Sequence, residues 1–365
     1  MDPIRAWLHR FLSDPQAIVL ALSLLAGLAL LLLVGDMLKP AIASVVIAYL
    51  LEGLVRTLER LHVPRLLAIC VVISGFVFAL LFALLAVMPL LVRQITQLSQ
   101  QLPGMIETAR VFIDTLPERY PNLLTEVQVQ ALLGEAEAEV NQLRNVLLAR
   151  TLSFGIGMIT AVVYIVLVPV LVFFMLKDKN KILHWFNHYL PHNRGLALKV
   201  WREVDVQVAN YVRGKFWEII IVWGASFLTF ALLGLDYALL LSALVGFSVL
   251  VPYLGAIAVT VPVAAVALFQ WGWSIELFYA VGAYAIIQFI DGNVLVPLIF
   301  SEVVDLHPIA ILLAIMFFGG IWGFWGVFFA IPLATLVQAV LRAWPRRPPP
   351  AQPTAGEVAW RGGDR

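Results

Sequence analysis

The sequence predicts an all-α, polytopic integral membrane protein with about eight transmembrane helices, some of them broken or re-entrant, and one extramembrane helical hairpin. Three observations predict this class. The chain of 365 residues is 62% hydrophobic and only 13% charged, whereas an average soluble domain is about a quarter charged. Its mean hydropathy is +0.93. Its apolar residues form runs of about 18 residues or more, which is enough helix to cross a hydrocarbon core about 30 Å thick.

Residues 1–92 hold three predicted spans. The first runs from about 17 to 35, and a polar break at 35–40, which contains Asp36 and Pro40, turns it into the second. No small-residue cleavage site precedes the break, so the first span is predicted to remain as an anchor rather than to be removed as a signal peptide. The third span is predicted over about 66–92, after a connector rich in Arg and Glu.

Residues 93–150 are more highly charged than the spans before them, with seven acidic side chains, five Arg and no Lys. Apolar residues recur there at helical spacing in two stripes, on either side of Pro117 and Pro121. The stripes are Ile95, Leu98, Leu102, Met105, Ile106, Ala109 and Phe112, and then Leu132, Leu133, Ala136, Val140, Leu143 and Leu147. Each stripe predicts a helix with one apolar face, and together they predict the extramembrane hairpin.

The segment 151–215 combines a fourth span, about 152–176, with the most basic stretch of the chain, which holds eight Lys and Arg in 177–215. Interleaved aromatic residues predict an amphipathic cytoplasmic helix in the headgroup region. His184, His188 and His192 have the spacing of metal ligands on a helix, but Pro191 interrupts that helix and no metal site is predicted. Lys215 and Glu218, near the start of the next span, are interpreted as an interfacial ion pair.

Residues 216–344 form the predicted transport region, with spans near 216–234, 237–270, 274–299 and 308–341. The second and last of these are too long and too interrupted by Gly and Pro to be simple rods. The tail, 345–365, is rich in Pro and Gly and is predicted to be disordered.

Basic residues predict the orientation. With eight spans and the N-terminus inside, 18 of the 24 Lys and Arg lie on the inner side, as the positive-inside rule requires. Both termini are therefore predicted to be cytoplasmic and the hairpin to lie outside.

Soluble-enzyme chemistry is not indicated. The sequence has no phosphate-binding loop, no HExxH and no CxxC, so no ATP hydrolysis, metal or cofactor is predicted. A net charge of +1 gives no nucleic-acid signal. The one cysteine, Cys70, cannot form an internal disulfide.

Three places in the transport region predict a solute path, because freed backbone groups in lipid are tolerated mainly where they line a cavity. Short matching breaks in two halves are also typical of a transporter's substrate site. The candidate residues are Pro252, Tyr253, Gly255 and Pro262, then Gln288, Asp291, Gly292, Asn293 and Pro297, and then Gly323, Gly326 and Pro332.

Asp291 is the strongest single candidate for a functional residue in this region. A charged Asp at a helix centre costs about 2.5–3.5 kcal/mol on insertion scales, so an acid there is usually functional. It could bind a cation, carry a proton or hydrogen-bond a hydroxylated solute, and the alternative is a capping residue at the interface.

At these residues the chain resembles the AI-2E family of transporters, the autoinducer-2 exporter family that also includes PerM-like permeases. The resemblance rests on Asn210-Tyr211-Val212-Arg213-Gly214, Val251-Pro252-Tyr253-Leu254-Gly255, Asp291-Gly292-Asn293 with Val296-Pro297, and Leu306-His307-Pro308 leading to Gly323, Gly326 and Pro332. The chain departs from the family pattern at Leu51-Glu52-Gly53 and at Phe300-Ser301-Glu302.

The resemblance implies a secondary transporter in a bacterial inner membrane, in the lipid bilayer as a homo-oligomer, with pentamers as the family picture. It implies export of a small polar solute similar to autoinducer-2, or exchange of a monovalent cation, Na+ or Li+, for protons. A scaffold that transports nothing and binds partners through the hairpin is the rival from another class. The roles of Asn210, Arg213, Gly214, His307 and Pro308 stay open.

Overall fold

The computed structural model describes residues 15–114, 164–189, 195–300 and 306–343, with isolated positions between 134 and 145, and describes side chains from Met37 onward. All regular elements in these residues are helical. They are α1 (Pro15–Arg60), α2 (Arg65–Phe82), α3 (Met88–Asp114), α4 (Tyr164–Lys177), α5 (Lys179–Tyr189), α6 (Gly195–Leu233), α7 (Ala238–Ser248), α8 (Leu254–Trp271), α9 (Ile275–Ile290), α10 (Val296–Phe300), α11 (Pro308–Trp322) and α12 (Phe324–Ala343).

The membrane class predicted from the sequence is confirmed. Five described segments are long and apolar enough to span a bilayer, and they are Met37–Arg60, Arg65–Met105, Val200–Leu233, Leu254–Trp271 and Ile275–Phe300. Four shorter apolar helices, α4, α7, α11 and Phe324–Val340 of α12, accompany them. The 11 residues of α7 rise only about 16 Å, about half of the hydrocarbon thickness, as expected of a broken or re-entrant segment.

The predicted break at 35–40 is wrong. Helix α1 continues through it for 46 residues, so the first two predicted spans lie in one helix. Pro40 removes only one N–H donor, and the Ser44 hydroxyl donates to the Pro40 carbonyl over 2.6 Å. One missing hydrogen bond kinks an apolar helix more readily than it ends it.

The third predicted span and the first helix of the predicted hairpin are continuous. Helix α2 passes through a π-helical turn, Ala83–Val87, directly into α3. Met105 and Leu98 of α3 pack against the core of the transport region. The second helix of the hairpin, the fourth span before residue 164 and the tail 345–365 lie outside the described residues.

Helix α6 is the axis of the transport region, because it packs against α1, α7, α9, α10 and α12. The second half of the basic segment 177–215, part of which is predicted to be an amphipathic helix, packs against protein in the structure. Val200 is buried against Ala339 of α12, and Tyr211 against Ile331 of the same helix. The Val200–Val204–Val208 repeat predicted a helix correctly, but its apolar face meets protein rather than lipid headgroups.

Two pairs of helices that are consecutive in the chain pack together in the rest of the transport region, beside α9 and α10. Helices α7 and α8 form one pair, and α11 and α12 form the other. The second pair begins at His307, whose Nδ1 accepts a hydrogen bond from the Ile309 N–H over 3.3 Å, with Pro308 at the first helical position. Its turn is made by Gly323, which has a φ of +59° and so suits a residue without a side chain.

Candidate functional site

A cavity of about 490 Å³ lies where the broken helices meet. Its wall is made by α6, the α7–α8 turn, the π-helical turn Asp291–Leu295 with its neighbours, the start of α11 and one residue of α12. This volume is within the ordinary range for small-molecule sites. The broken segments therefore converge on one cavity, although they are distant in the chain.

An ion pair is buried in the cavity wall. The Lys215 ammonium donates to both carboxylate oxygens of Glu218, over 2.9 and 2.8 Å. Lys215 is only 4% exposed and Glu218 only 2%. The pair follows from the sequence spacing of three along α6. The sequence predicts an interfacial pair but not its burial, which arises because α7 and α10 cover it.

Lys215 also reaches beyond its own helix. Its third hydrogen bond goes to the Val249 carbonyl in the α7–α8 turn over 2.6 Å. Its Nζ atom lies 5.5 Å from the centre of the Phe300 ring in α10. One ammonium thus joins three elements of the cavity wall.

Three buried polar atoms around the cavity have no hydrogen-bond partner among the described residues. They are Asp291 Oδ1, Gln288 Nε2 and the Tyr211 hydroxyl. Asp291 is 8% exposed and lies within electrostatic range of Lys215. Unpaired buried polar atoms cost free energy, and several around one cavity are expected where a ligand or water supplies the missing partners.

The charges in the wall do not balance. Lys215 faces two carboxylates, Glu218 and Asp291, and its three donors are already used by Glu218 and Val249. Asp291 is therefore the carboxylate available to a ligand. An unpaired carboxylate oxygen beside an amide N–H and a phenol suits a hydroxylated solute or a single cation.

The turn between α7 and α8 is strained. Tyr253 has a φ of 64° and a ψ of −54°, and the Leu254 N–H donates to the Pro252 carbonyl over 2.7 Å. This is a three-residue γ-turn of the rare kind, which costs free energy for a residue with a side chain. Pro252 and Tyr253 both line the cavity, so the strain is stored in its wall.

Both helix pairs depend on a glycine that lets two backbones touch. A Cβ atom on Gly255 would lie 1.8 Å from the Ser248 carbonyl oxygen, and one on Gly326 would lie 1.8 Å from that of Phe318. The similar Gly-to-Pro spacing of these two places in the sequence thus corresponds to a similar close contact in each helix pair.

Comparison with known proteins decides the family. A model of the AI-2E family transporters matches residues 18–346. The chain belongs to the AI-2E family. It is therefore a membrane transport protein and not an enzyme.

Relatives of this transporter are bacterial. It is 44% identical over 345 residues to “Putative permease PerM” of Escherichia coli K12, which covers 94% of this chain and 98% of the relative. It is 28% identical over 316 residues to “Putative transport protein YrrI” of Bacillus subtilis, with 83% and 85% covered. It is 24% identical over 327 residues to “AI-2 transport protein TqsA” of E. coli K12, with 88% and 92% covered.

The structure brings seven of the sequence-predicted residues of this AI-2E transporter to the cavity wall. They are Pro252, Tyr253, Gln288, Asp291, Gly292, Pro297 and Pro308. Asn293 does not line the cavity, because it is exposed and donates from Nδ2 to the Phe289 carbonyl over 2.9 Å. Gly255, Gly323, Gly326 and His307 shape the turns and helix starts around it, while Pro262 and Pro332 lie inside α8 and α12.

Three family-motif residues on α6, Asn210, Arg213 and Gly214, pack the helix rather than line the cavity. Arg213 donates to the Asn210 side-chain oxygen over 2.8 Å and to the Ala209 carbonyl over 3.1 Å. A Cβ atom on Gly214 would lie 2.7 Å from side-chain atoms of Ile299 and Phe300, so this glycine allows α10 to approach α6.

The ionisable cavity residues that the sequence reasoning did not name as site residues all lie on α6. They are Tyr211, Lys215 and Glu218. The available signal was their spacing of three or four, which places them on one face of a helix that continues into an apolar run.

Proposed function

We propose that this AI-2E family member is a secondary transporter that exports a small polar solute, similar to autoinducer-2, through the cavity beside Asp291. In this proposal Asp291 accepts hydrogen bonds from solute hydroxyl groups, and Gln288 and Tyr211 supply further polar atoms. The single observation that carries the proposal is the set of unpartnered buried atoms on these three side chains. A solute that forms hydrogen bonds with all three atoms removes the free-energy cost of leaving them buried without partners.

The backbone around the cavity supports movement of a solute rather than a permanent site. Short helices such as α7 end at the level of the cavity, and discontinuous helices of this kind surround the substrate sites of secondary transporters. The turn between α7 and α8 and the π-helical turn at Asp291 are the elements expected to change conformation. One distant relative is named an AI-2 transport protein, and a small hydroxylated solute agrees with that name.

A second candidate function is exchange of Na+ or Li+ for protons. The observation that favours it is the excess of one carboxylate over the cations in the cavity wall. A buried carboxylate without a partner is unstable as a free charge, so a proton or a monovalent cation is expected to neutralise it. In this alternative Asp291 binds the exchanged ions in turn.

The proposal includes the membrane and the assembly. We place the transporter in the inner membrane with several copies in a homo-oligomer, and a pentamer is the family expectation. The orientation predicted from eight spans, with both termini in the cytoplasm and the 93–150 hairpin outside, requires the chain to turn back between the first two spans. The continuous helix α1 does not make that turn, so the orientation is not part of the proposal.

A flux assay in liposomes tests the proposed function. Purified wild type, Asp291→Asn and Asp236→Asn are offered labelled hydroxylated solutes, and in a separate arm Na+ or Li+ under an imposed pH gradient. Asp236 is the matched control, because it is exposed and lies outside the cavity. Solute flux that Asp291→Asn lowers and Asp236→Asn preserves supports the exporter, and the same pattern for cation-for-proton exchange supports the antiporter.

Undiminished flux through Asp291→Asn would overturn the assignment of the site. Absence of any flux in the wild type, with function lost only when the 93–150 hairpin is deleted, would favour the scaffold instead.

A further inference from the structure

The Lys215 ammonium bonds the turn between α7 and α8. Its bond to the Val249 carbonyl, at 2.6 Å, crosses from α6 to the C-terminal cap of α7. The last carbonyls of a helix lack partners within the helix and carry partial negative charge, so a cation there is favourable. The bond therefore holds the end of α7 against α6.

The position of this bond makes it important for access to the cavity. Val249 is followed by Val251, Pro252 and Tyr253, which all form cavity wall. The strained γ-turn at Tyr253 is the next element along the chain. Strain of this kind persists only when surrounding contacts hold it, and the Lys215–Val249 bond is one such contact.

Asp291 offers Lys215 an alternative partner. Its Oδ1 atom has no hydrogen-bond partner among the described residues, and it lines the same cavity within electrostatic range of Lys215. An ammonium has three donors, and in this state Glu218 and Val249 use them all. If the α7–α8 turn moves away, the donor that leaves Val249 can bond Asp291.

We propose that Lys215 is a positioning residue that latches the α7–α8 turn closed over the cavity, and that opening of the turn transfers one Lys215 donor from the Val249 carbonyl to Asp291. This inference rests on the proposed function, because it assigns a gate to the same cavity. The latch also couples binding at Asp291 to the position of the α7–α8 turn. A solute or cation bound to Asp291 occupies the alternative partner of Lys215 and thereby favours the closed turn.

The test measures access to the cavity without using any solute. A single cysteine replaces Ala256, a half-buried residue in the cavity wall, in a Cys70→Ser background. The protein is placed in liposomes, and the rate of its reaction with a water-soluble maleimide is measured. Lys215→Met is combined with Glu218→Met, because a lone buried carboxylate would destabilise the fold, whereas an apolar pair of similar size is usually tolerated.

The matched control is Arg56→Met, which breaks the Arg56–Glu52 pair at 3.2 Å on α1, away from the cavity. We expect the Lys215→Met/Glu218→Met protein to react at least about tenfold faster than the background, since a bond from a charged donor is lost, and Arg56→Met to react at the background rate. Asp291→Asn should react more slowly than the background, because it weakens the alternative partner. A purely structural role for Lys215 would not make the Asp291 variant slower.

A reaction rate of the double variant equal to the background would overturn the latch, as would an Asp291→Asn protein that reacts as fast as the background or faster. If the double variant does not give a monodisperse oligomer, Lys215→Leu with Glu218→Gln replaces it in the same comparison. The outcome is separable from the proposed function. Loss of flux in Asp291→Asn with an unchanged labelling rate in the double variant supports the transport site and rules out the latch. Undiminished flux in Asp291→Asn with faster labelling of the double variant rules out the transport site and supports the latch.

Discussion

Replacing Gly255 by alanine perturbs the cavity through the backbone of its wall. The added Cβ atom would lie 1.8 Å from the Ser248 carbonyl oxygen and 2.7 Å from its carbon. Carbon and oxygen atoms in close contact ordinarily lie about 3.3–3.6 Å apart, so the end of α7 and the start of α8 must separate by about 1.5 Å. The atoms that clash are backbone atoms, and no flexible side chain can move aside.

The free-energy cost follows from the size of that clash. Overpacking typically costs about 1–3 kcal/mol, and the upper end is expected here because the backbone must move. A cost of about 3 kcal/mol lowers the population of the intact turn by about two orders of magnitude. We expect transport by Gly255→Ala to fall by a similar factor and its Tm to fall by several degrees.

The assay compares flux in liposomes and Tm for Gly255→Ala and Gly224→Ala. Gly224 lies on α6, and a Cβ atom there meets nothing within 4 Å. Its replacement should leave flux unchanged and raise Tm slightly, since Ala is favoured over Gly within a helix by roughly 0.5–1 kcal/mol. Wild-type flux and Tm in Gly255→Ala would refute the reasoning that a close backbone contact shapes the cavity.

Two further predictions concern the contacts that hold the helices around the cavity. Gln94 of α3 accepts a hydrogen bond from the Leu240 N–H in the first turn of α7 over 2.8 Å. Gln94→Leu should therefore lower Tm, because about 1 kcal/mol of stability is lost with this hydrogen bond. Gln94→Glu keeps the acceptor and should not lower Tm. Equal Tm values for the two variants would contradict a stabilising role of this contact. The Tyr284 hydroxyl donates to the Ala256 carbonyl over 2.6 Å. Tyr284→Phe should weaken apparent solute affinity about 2–10-fold with little change in expression, and an unchanged half-saturation concentration would argue against a role for α9 in fixing the cavity wall.

The sequence was sufficient for the membrane class, and it singled out Asp291, which lies in the cavity wall. Long apolar runs predict spanning helices directly, and an acid inside such a run is rare enough to be noticed. Pro252 and Tyr253 were found because Gly and Pro interrupt an apolar run there, and the structure places both in the cavity wall.

Other features could not be read from local pattern. Lys215 and Glu218 look like an ordinary interfacial pair, because only the packing of α7 and α10 over α6 shows that they are buried. The short polar run 35–40 predicted a break because it interrupts an apolar stretch and ends at Pro40. In an apolar helix, however, one absent donor does not require a turn. Asn293 and Asp291 are two residues apart, and the helical geometry points them in different directions, so a polar cluster in the sequence is not a cluster in space.

The most direct test of the transport site is the initial rate of solute flux in Asp291→Asn relative to Asp236→Asn, measured in the same liposomes at equal protein density. Both variants remove one carboxylate, but only the first removes it from the cavity. The transport site predicts a rate lower by about 10–100-fold in Asp291→Asn, because hydrogen bonds to a charged group are among the strongest a solute can make. Equal rates in the two variants would contradict it.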